Sequence, residues 1–320
     1  MRMFRITGEL PEGWVMTTRG EDGGKAHFES PDGRVDLAYY TLLPGIVMTD
    51  IDLSCSTLPV YQPGASFLAT INWCSTGRCE VDFGTRGSLV VGSQTLCLSS
   101  SLAESFSYPT ASYRGFEYFI DFDQFDDDTR STLEPFGLTE ENLRKVLVPH
   151  ELGVTLSPEG SLLDAVHSLE SELAHDQPRS AWLLLYTCKL FMLLAELDLG
   201  GLQVTSGYLQ RSQRDIAQEV YQQIMADVAP SVDLRALSVR LGVSEASLRS
   251  YFSRVYGQSP AAFARSHALS SAARMLAETS LPVADISQAC GYANPSKFSA
   301  AFRRAYDVNP LEYRRRSRLA

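Results

Sequence analysis

The sequence predicts an α+β protein, with antiparallel strands near the N-terminus, helices after them and an all-helical C-terminal domain. Three observations predict this order. Short apolar or alternating runs fill the residues up to 122, helical periodicity follows, and a short unit occurs twice near the C-terminus. With 320 residues, the chain is long enough for two domains that each have a core.

The charge of the chain divides between the same two parts. Residues 1–209 carry 13 Lys and Arg against 29 Asp and Glu, a net of −16, whereas residues 210–320 carry 15 against 9, a net of +6. A basic module joined to an acidic partner is typical of a tethered nucleic-acid-binding unit, although such asymmetry also serves solubility alone. The boundary is expected at 200–207, a short stretch rich in Gly, Thr and Ser.

The N-terminal strands are expected in runs separated by Gly, Pro and Ser turns, at the spacing of a barrel or a sandwich. The runs are 41–53, 65–74, 78–91, 94–100 and 114–122. A two-residue turn at Thr76 and Gly77 is expected to set Cys74 opposite Cys79 across a hairpin. Two interpretations of this pair stay open, a redox switch or two small buried residues.

Helices are expected after residue 122. Short helices are predicted at 124–137 and 139–147, and a longer one at 157–175. Residues 178–199 are predicted to form an apolar helix that Lys189 interrupts, so a buried or partner-facing helix is favoured over a membrane span. A core helix under the strands and a dimer seam both remain open for this segment.

Residues 242–260 and 291–310 repeat one short unit. Phe252, Arg254, Tyr256 and Pro260 recur fifty residues later as Phe302, Arg304, Tyr306 and Pro310. Each unit is predicted to be a helix, a turn at Gly242 or Gly291, and a second helix, with one helix at 260–279 joining the two units. Ser244 and Asn294 are expected to cap the second helix of each unit, Ser259 is expected to cap the joining helix, and Asn309 is expected to cap a last helix.

Helical spacing predicts which side of each second helix is free. Leu248, Phe252 and Val255 share one face, as do Phe298, Phe302 and Ala305, and these faces are expected to pack inward. The opposite faces hold small residues first and long cations later: Ala246, Ser247, Arg249, Ser250 and Arg254 in the first unit, and Ser296, Lys297, Ala300, Arg303 and Arg304 in the second. Small residues let a helix approach the floor of a DNA groove, and long cations reach phosphates and guanines.

Catalytic chemistry has no visible site in the sequence. The five histidines are scattered and no two share one element at metal-ligand spacing, so neither a metal nor a cofactor is expected. The chain also lacks GxSxG, HExxH and phosphate-binding glycine motifs. These patterns predict a protein that is not an enzyme.

The segment from about 233 to 315 resembles the DNA-binding domain of the AraC/XylS family of transcription regulators. The similarity rests on DLRALSVRLGVSEASLRSYFSRVYGQSP and VADISQACGYANPSKFSAAFRRAYDVNPLEYRR. It implies that two recognition helices enter successive major grooves, about 34 Å apart. Asp307 replaces the glycine usual in the family, and Ser287 replaces a common alanine.

The resemblance implies that small residues and two long hydrogen-bond donors contact the DNA bases. The residues are Ala246, Ser247, Arg249 and Ser250 in the first unit, and Ser296, Lys297 and Ala300 in the second. Arg254, Arg303 and Arg304 are expected mainly on phosphates. Because only Arg249 and Lys297 are long donors suited to base edges, we expect guanine contacts from these two.

The N-terminal part is similar to the cupin-type sensor and dimerisation domains of this family, which implies a β-barrel. In relatives the barrel can bind a small effector and the helices after it pair the subunits. Tyr39, Trp73, Tyr108 and Tyr118 are the candidate effector contacts. The expected domains are 1–205, with a barrel at about 1–122 and helices at about 124–199, and 208–320.

The resemblance implies a homodimeric, sequence-specific regulator, more often an activator in this family. Its expected partners are double-stranded DNA, a second copy through helices 160–199, a small effector and RNA polymerase. The protein is expected in the cytoplasm, without contact to a membrane. One alternative is a regulator that is ligand-independent or redox-responsive. Another is a cupin-type enzyme, which the missing paired-histidine metal motif argues against.

Overall fold

The computed structural model describes residues 14–20, 22–30, 33–56, 68–84, 87–99, 105–147, 153–197, 208–209, 211–228 and 232–317. The chain divides into two compact units, residues 1–210 and 211–320. The expected boundary stretch at 200–207 lies outside the described residues, so the domain limits stay a prediction.

The first unit contains eleven strands within the described residues, and all of their pairings are antiparallel. They are β1 (Trp14–Arg19), β2 (Gly23–Ser30), β3 (Gly33–Leu43), β4 (Ile46–Leu53), β5 (Leu68–Asp82), β6 (Ser88–Gly92), β7 (Thr95–Ser99), β8 (Ser105–Ser107), β9 (Tyr113–Asp121), β10 (Val154–Leu156) and β11 (Tyr208–Leu209). Several expected runs correspond to strands, but β1, β2, β8, β10 and β11 lie outside every predicted run.

The sheet is open, so the prediction of a closed β-barrel is wrong. Its strands follow the order β1-β2-β3-β4-β9-β5-β6-β11. In addition, β7 and β8 pair with β5, and β10 pairs with β7. The physical reason lies in β5, which is bent by a register shift between Cys74 and Thr76. Its first part pairs with β9 and β7 and its last part with β6 and β8, so the sheet branches instead of closing on β1.

The predicted hairpin turn at Thr76 and Gly77 is also wrong, because β5 runs through both residues. Gly77 has a positive φ of 88°, and a Cβ atom there would lie 2.0 Å from the Ser112 carbonyl oxygen. This glycine therefore permits a close approach of two backbones rather than a turn. Cys74 and Cys79 lie on one strand and are buried in the same apolar cluster.

The thiols of the first unit are poorly suited to redox chemistry. All six cysteines of the chain are free and buried. Burial raises the pKa of Cys74 to about 12 and holds the pKa of Cys79 well above its usual range. Because the thiolate is the reactive form, these side chains favour the interpretation as small buried residues.

The sheet separates two apolar cores, because successive residues of a strand point to opposite faces. On one face, Ile71, Trp73 and Tyr118 belong to a core that four helices complete. These helices are α1 (Asp127–Leu133), α2 (Glu140–Leu147), α3 (Gly160–Leu173) and α4 (Ser180–Ala195). On the other face, Ile51 and Tyr113 belong to a second core that includes the buried thiols.

Helix α4 is buried on one side and exposed on the other. Leu183, Thr187, Leu190, Phe191 and Leu194 are buried, which confirms the interpretation of a core helix for that face. Trp182, Leu185 and Met192 remain 40%, 46% and 37% exposed, and Lys189 is exposed between them. None of the helices in the described ranges combines the length and apolar composition that a membrane span requires.

The second unit contains seven helices within its described residues. They are α5 (Arg211–Ala226), α6 (Leu234–Leu241), α7 (Glu245–Tyr256), α8 (Pro260–Glu278), α9 (Val283–Ala289), α10 (Pro295–Tyr306) and α11 (Pro310–Ser317). The predicted N-caps are confirmed, because Ser244, Asn294 and Asn309 side chains accept hydrogen bonds from backbone N–H groups at 3.1, 2.8 and 2.9 Å. The two helix-turn-helix units are therefore α6 with α7 and α9 with α10, and α8 joins them.

The inward faces predicted for the two units are buried at all but one position. Leu248, Phe252 and Val255 are buried as expected, and so are Phe298 and Phe302. The prediction for Ala305 is wrong, because this residue is exposed. Its methyl group is too short to reach the core that Val255 reaches at the equivalent position.

Candidate nucleic-acid interface

The second helix of each unit begins just after a tight turn that fixes its direction. Gly242 ends α6 with a positive φ of 66°, and its N–H donates to the Ser238 carbonyl. Gly291 precedes α10 with a positive φ of 78°. Both turns use the left-handed conformation that glycine adopts without strain, so the chain can reverse between two helices of one unit.

In α7, three of the four predicted base-reading residues are exposed. Ala246, Arg249 and Ser250 are exposed, whereas Ser247 is half-buried. The Ser247 hydroxyl lies 2.9 Å from the hydroxyl of Ser244, the N-cap of α7, so the two side chains form a hydrogen bond. Arg254, one turn further along, is also half-buried.

In α10, all five predicted residues are exposed: Ser296, Lys297, Ala300, Arg303 and Arg304. Asn294 holds the start of this helix, because its Oδ1 accepts from the Ser296 N–H at 2.8 Å and from the Lys297 N–H at 3.4 Å. Within the described part of the chain, no ion pair joins Lys297, Arg303 or Arg304 to an acid. The roles assigned to these side chains on DNA remain predictions.

The structure adds one side chain that the sequence reasoning missed. Glu245, the first residue of α7, accepts a hydrogen bond from the Arg249 guanidinium at 2.9 Å. The two residues are four apart on one helix, a spacing at which opposite charges meet, so the signal was present in the sequence. Glu245 therefore belongs to the same exposed face as the predicted base-reading residues.

The four predicted effector contacts are not brought together. Trp73 and Tyr118 lie in the core that faces the helices, and Tyr108 lies in the core on the opposite face. Tyr39 is half-buried and belongs to neither core. Trp73 donates from Nε1 to Glu170 Oε1 at 2.9 Å, and the Tyr118 hydroxyl lies 2.8 Å from Thr187 Oγ1. These two aromatic residues thus link the sheet to α3 and α4.

A different set of polar side chains does share one face of the sheet. Cross-strand neighbours form a row from β3 to β7: Tyr39, Thr49, Glu117, Asn72 and Cys97. All except Tyr39 are buried. We call this set the polar row.

Glu117 is the charged member of the polar row. Burial raises the pKa of its carboxyl to about 7, and a hydrogen bond from the Asn72 side chain lowers it in part. Asn72 is fixed in turn by the Tyr113 hydroxyl, which donates to its Oδ1 at 3.0 Å. No set of three or more His, Cys, Asp or Glu side chains within the described residues is arranged to hold a metal ion.

Comparison with known proteins places the similarity mainly in the second unit. The family model of a helix-turn-helix domain matches residues 237–316. Regulatory protein SoxS of Salmonella typhimurium is 30% identical over 105 residues, which are 33% of this chain and 98% of SoxS. A Streptomyces antibioticus protein described as an AraC-like transcription regulator is 29% identical over 154 residues, 47% of this chain and 50% of that relative.

This chain thus spans about half the length of the Streptomyces relative. Among solved structures, a transcriptional regulator from Chromobacterium violaceum with an AraC-type DNA-binding domain superimposes with a TM-score of 0.31 at 23% identity. That overlap covers 32% of this chain and 93% of the other.

Proposed function

Because the chain belongs to the AraC/XylS family of transcription regulators, we propose that it binds specific double-stranded DNA sequences through α7 and α10 and regulates transcription there. One observation carries this proposal. Both helices expose small residues near their first turn and cations further along, the layout that suits a helix entering a major groove. A non-enzymatic role and a cytoplasmic location belong to the same proposal.

The experiment is selection of bound duplexes from a random DNA library, followed by affinity measurements on the enriched sequence. The unaltered chain should enrich one motif with two half-sites about one helical turn apart. A double change, Arg249→Ala with Lys297→Ala, should abolish the enrichment. Lys145→Ala, an exposed cation on α2, is the matched control and should leave it intact. A chain that enriches nothing would contradict the proposal.

We assign the homodimer contact to the exposed side of α4. Trp182, Leu185, Lys189 and Met192 follow one another at three or four residues, so they form one stripe along the helix. Exposed apolar residues aligned in this way suit a second copy of the same helix. Leu185→Glu should convert a dimer to a monomer in sedimentation, whereas Lys145→Glu should not. RNA polymerase is the expected partner for activation.

For effector sensing, we propose the polar row rather than the four aromatic residues acting together. Support comes from Glu117, because an ionised carboxyl is costly to bury unless a ligand or a partner stabilises it. A small molecule with an ammonium or hydroxyl donor would supply that interaction. A ligand-independent regulator stays the alternative, since core packing explains the aromatic residues.

Thermal unfolding tests this choice. At pH 8, amine-bearing metabolites should raise the Tm of the first unit more than carboxylic acids do, because a ligand that binds the folded state stabilises it. Glu117→Gln should remove the preference for amines, and Glu141→Gln, on the exposed surface of α2, should keep it. If no member of the panel shifts the Tm, the ligand-independent alternative is favoured.

A further inference from the structure

Glu245 and Arg249 form an ion pair on the face of α7 proposed to meet DNA. The Arg249 guanidinium donates to Glu245 Oε2 at 2.9 Å, and the side chains of Arg249 and Glu245 are 53% and 38% exposed. The pair thus lies in solvent and is not part of the core of the unit. Both side chains belong to the first two turns of the helix.

The contact between the two side chains adds little to stability, although a carboxylate in the first turn of a helix also interacts favourably with the helix dipole. Exposed ion pairs contribute little to folding, and the start of α7 is already held by the Ser244 cap. A carboxylate next to a DNA-facing surface also repels phosphates, so it weakens binding to any sequence. The second unit has no such group, because Pro295 stands fifty residues after Glu245.

The geometry of a guanidinium indicates what the pair does. Arg presents five N–H donors in one plane, and guanine offers two acceptors, O6 and N7, on one edge. When one donor is held by Glu245, the plane of the guanidinium is fixed and the remaining donors point away from the carboxylate. A fixed plane favours a two-bond contact with guanine over a loose contact with any phosphate.

We propose that Glu245 is a positioning residue that makes the Arg249 contact selective for guanine, at the cost of lower affinity for DNA in general. This inference rests on the proposed function, because it needs α7 to enter a duplex. It also predicts a division of labour between the units. The first discriminates between bases, and the second, whose α10 cations have no acidic partner among the described residues, contributes more of the binding to the DNA backbone.

The test compares Glu245→Ala with the unaltered full chain in two measurements, duplex selection and affinity for random DNA. Discrimination at one base pair should fall about tenfold, the size expected for a lost two-bond contact. Affinity for random duplex should rise severalfold, because a negative charge has been removed near the phosphates. All other positions of the motif should keep their base preference.

A double-mutant cycle separates positioning from a direct contact of Glu245 with DNA. In the Arg249→Ala background, Glu245→Ala should cause no further change of base preference at that position. Glu245→Gln keeps a hydrogen-bond acceptor and removes the charge, so it should retain part of the discrimination while random-DNA affinity rises. A purely structural role of Glu245 would not make its effect on base preference depend on Arg249, and it would not raise the affinity for random DNA.

Glu312→Ala is the matched control, because Glu312 and Arg316 form the same four-residue ion pair in α11. It should change neither measurement, and helix content by circular dichroism should be equal in both variants. Unchanged base preference in folded Glu245→Ala would overturn the inference. A wild-type chain that enriches no sequence would instead refute the proposed function, so the two failures are distinguishable.

Discussion

In the first helix-turn-helix unit, the ring of Phe252 lies 4.5 Å from that of Tyr256 and 5.5 Å from that of Phe263. In the second, Phe302 lies 4.6 Å from Tyr306 and 5.4 Å from Tyr313. Each residue of the second triad stands fifty positions after its counterpart in the first. The same three rings therefore pack the second helix of each unit against the helix that follows it, α7 against α8 and α10 against α11.

Outside these rings, the two units differ. The first adds Tyr221 of α5, which stacks on Tyr256 with the ring planes 4° apart. It also has a glycine, Gly257, where the second has Asp307, and an acid at the start of its exposed helix where the second has a proline. The comparison teaches that the core sets the position of each exposed helix, while the residues around it are free to diverge.

The largest expected effect concerns the shared rings. Phe252→Ala and Phe302→Ala should each lower the free energy of unfolding of the second compact unit by about 3–5 kcal/mol, because each removes a buried ring and leaves a cavity. Amide hydrogen exchange in α8 should report the loss. All three tryptophans lie in the first compact unit, so their fluorescence midpoint should stay unchanged. An effect of one substitution alone would contradict the equivalence of the two triads.

The next effect concerns DNA and separates the two exposed helices. Arg249→Ala should cost about 1–3 kcal/mol at one base position, because it removes a guanine contact. Arg303→Ala should weaken binding to all sequences about equally and reduce the salt dependence by about one ion, as expected for a phosphate contact. Affinities for the enriched motif and its single-base variants, at several salt concentrations, give both results. A uniform loss for Arg249→Ala would make it a phosphate contact.

A smaller difference is expected at Val255 and Ala305. Val255 is 3% exposed, so Val255→Ala should destabilise the second compact unit by about 2 kcal/mol through the loss of two buried methyl groups. Ala305→Val should change stability by less than about 0.5 kcal/mol, because Ala305 is exposed. Urea unfolding followed by helix content measures both. A large cost at Ala305 would show that this face is covered after all.

Local signals explain which parts of the fold the sequence predicted. The helix starts at Ser244, Asn294 and Asn309 were predictable, because each cap side chain accepts a hydrogen bond from a backbone N–H only two or three residues later. The open sheet was not, because it depends on β5 pairing with β9 about forty residues away along the chain. Turn composition gives no information on such distant partners.

Strand register explains why the surroundings of Cys74, Cys79 and Glu117 could not be predicted from the sequence. Cys74 and Cys79 are an odd number of residues apart, so regular alternation would put them on opposite faces of the sheet. The irregularity between Cys74 and Thr76 shifts this alternation, and both thiols face the same core. Glu117 was missed for a related reason, since an acid in an alternating strand is usually assigned to the solvent face.

The smallest expected effect concerns the residue that ends each exposed helix. Gly257 and Asp307 both adopt the left-handed conformation, with φ of 74° and 59°. Asp307→Gly should therefore stabilise the second compact unit by about 0.5 kcal/mol, since a side chain is strained there, while Gly257→Asp should destabilise it by about 0.5–1 kcal/mol. Amide exchange in α7 and α10 resolves changes of this size locally.

Charge contributes to the same position and needs its own control. A carboxylate at the C-terminal end of a helix opposes the helix dipole, although Arg303 and Arg304 in the last turn of α10 offset it. Asp307→Asn removes the charge and keeps a side chain that tolerates the left-handed conformation. If Asp307→Asn gives the whole gain in stability, the charge of Asp307 is the cause. If only Asp307→Gly gives it, backbone strain is the cause. A loss of stability in both variants would mean that the Asp307 carboxylate makes a favourable contact that outweighs strain and charge together.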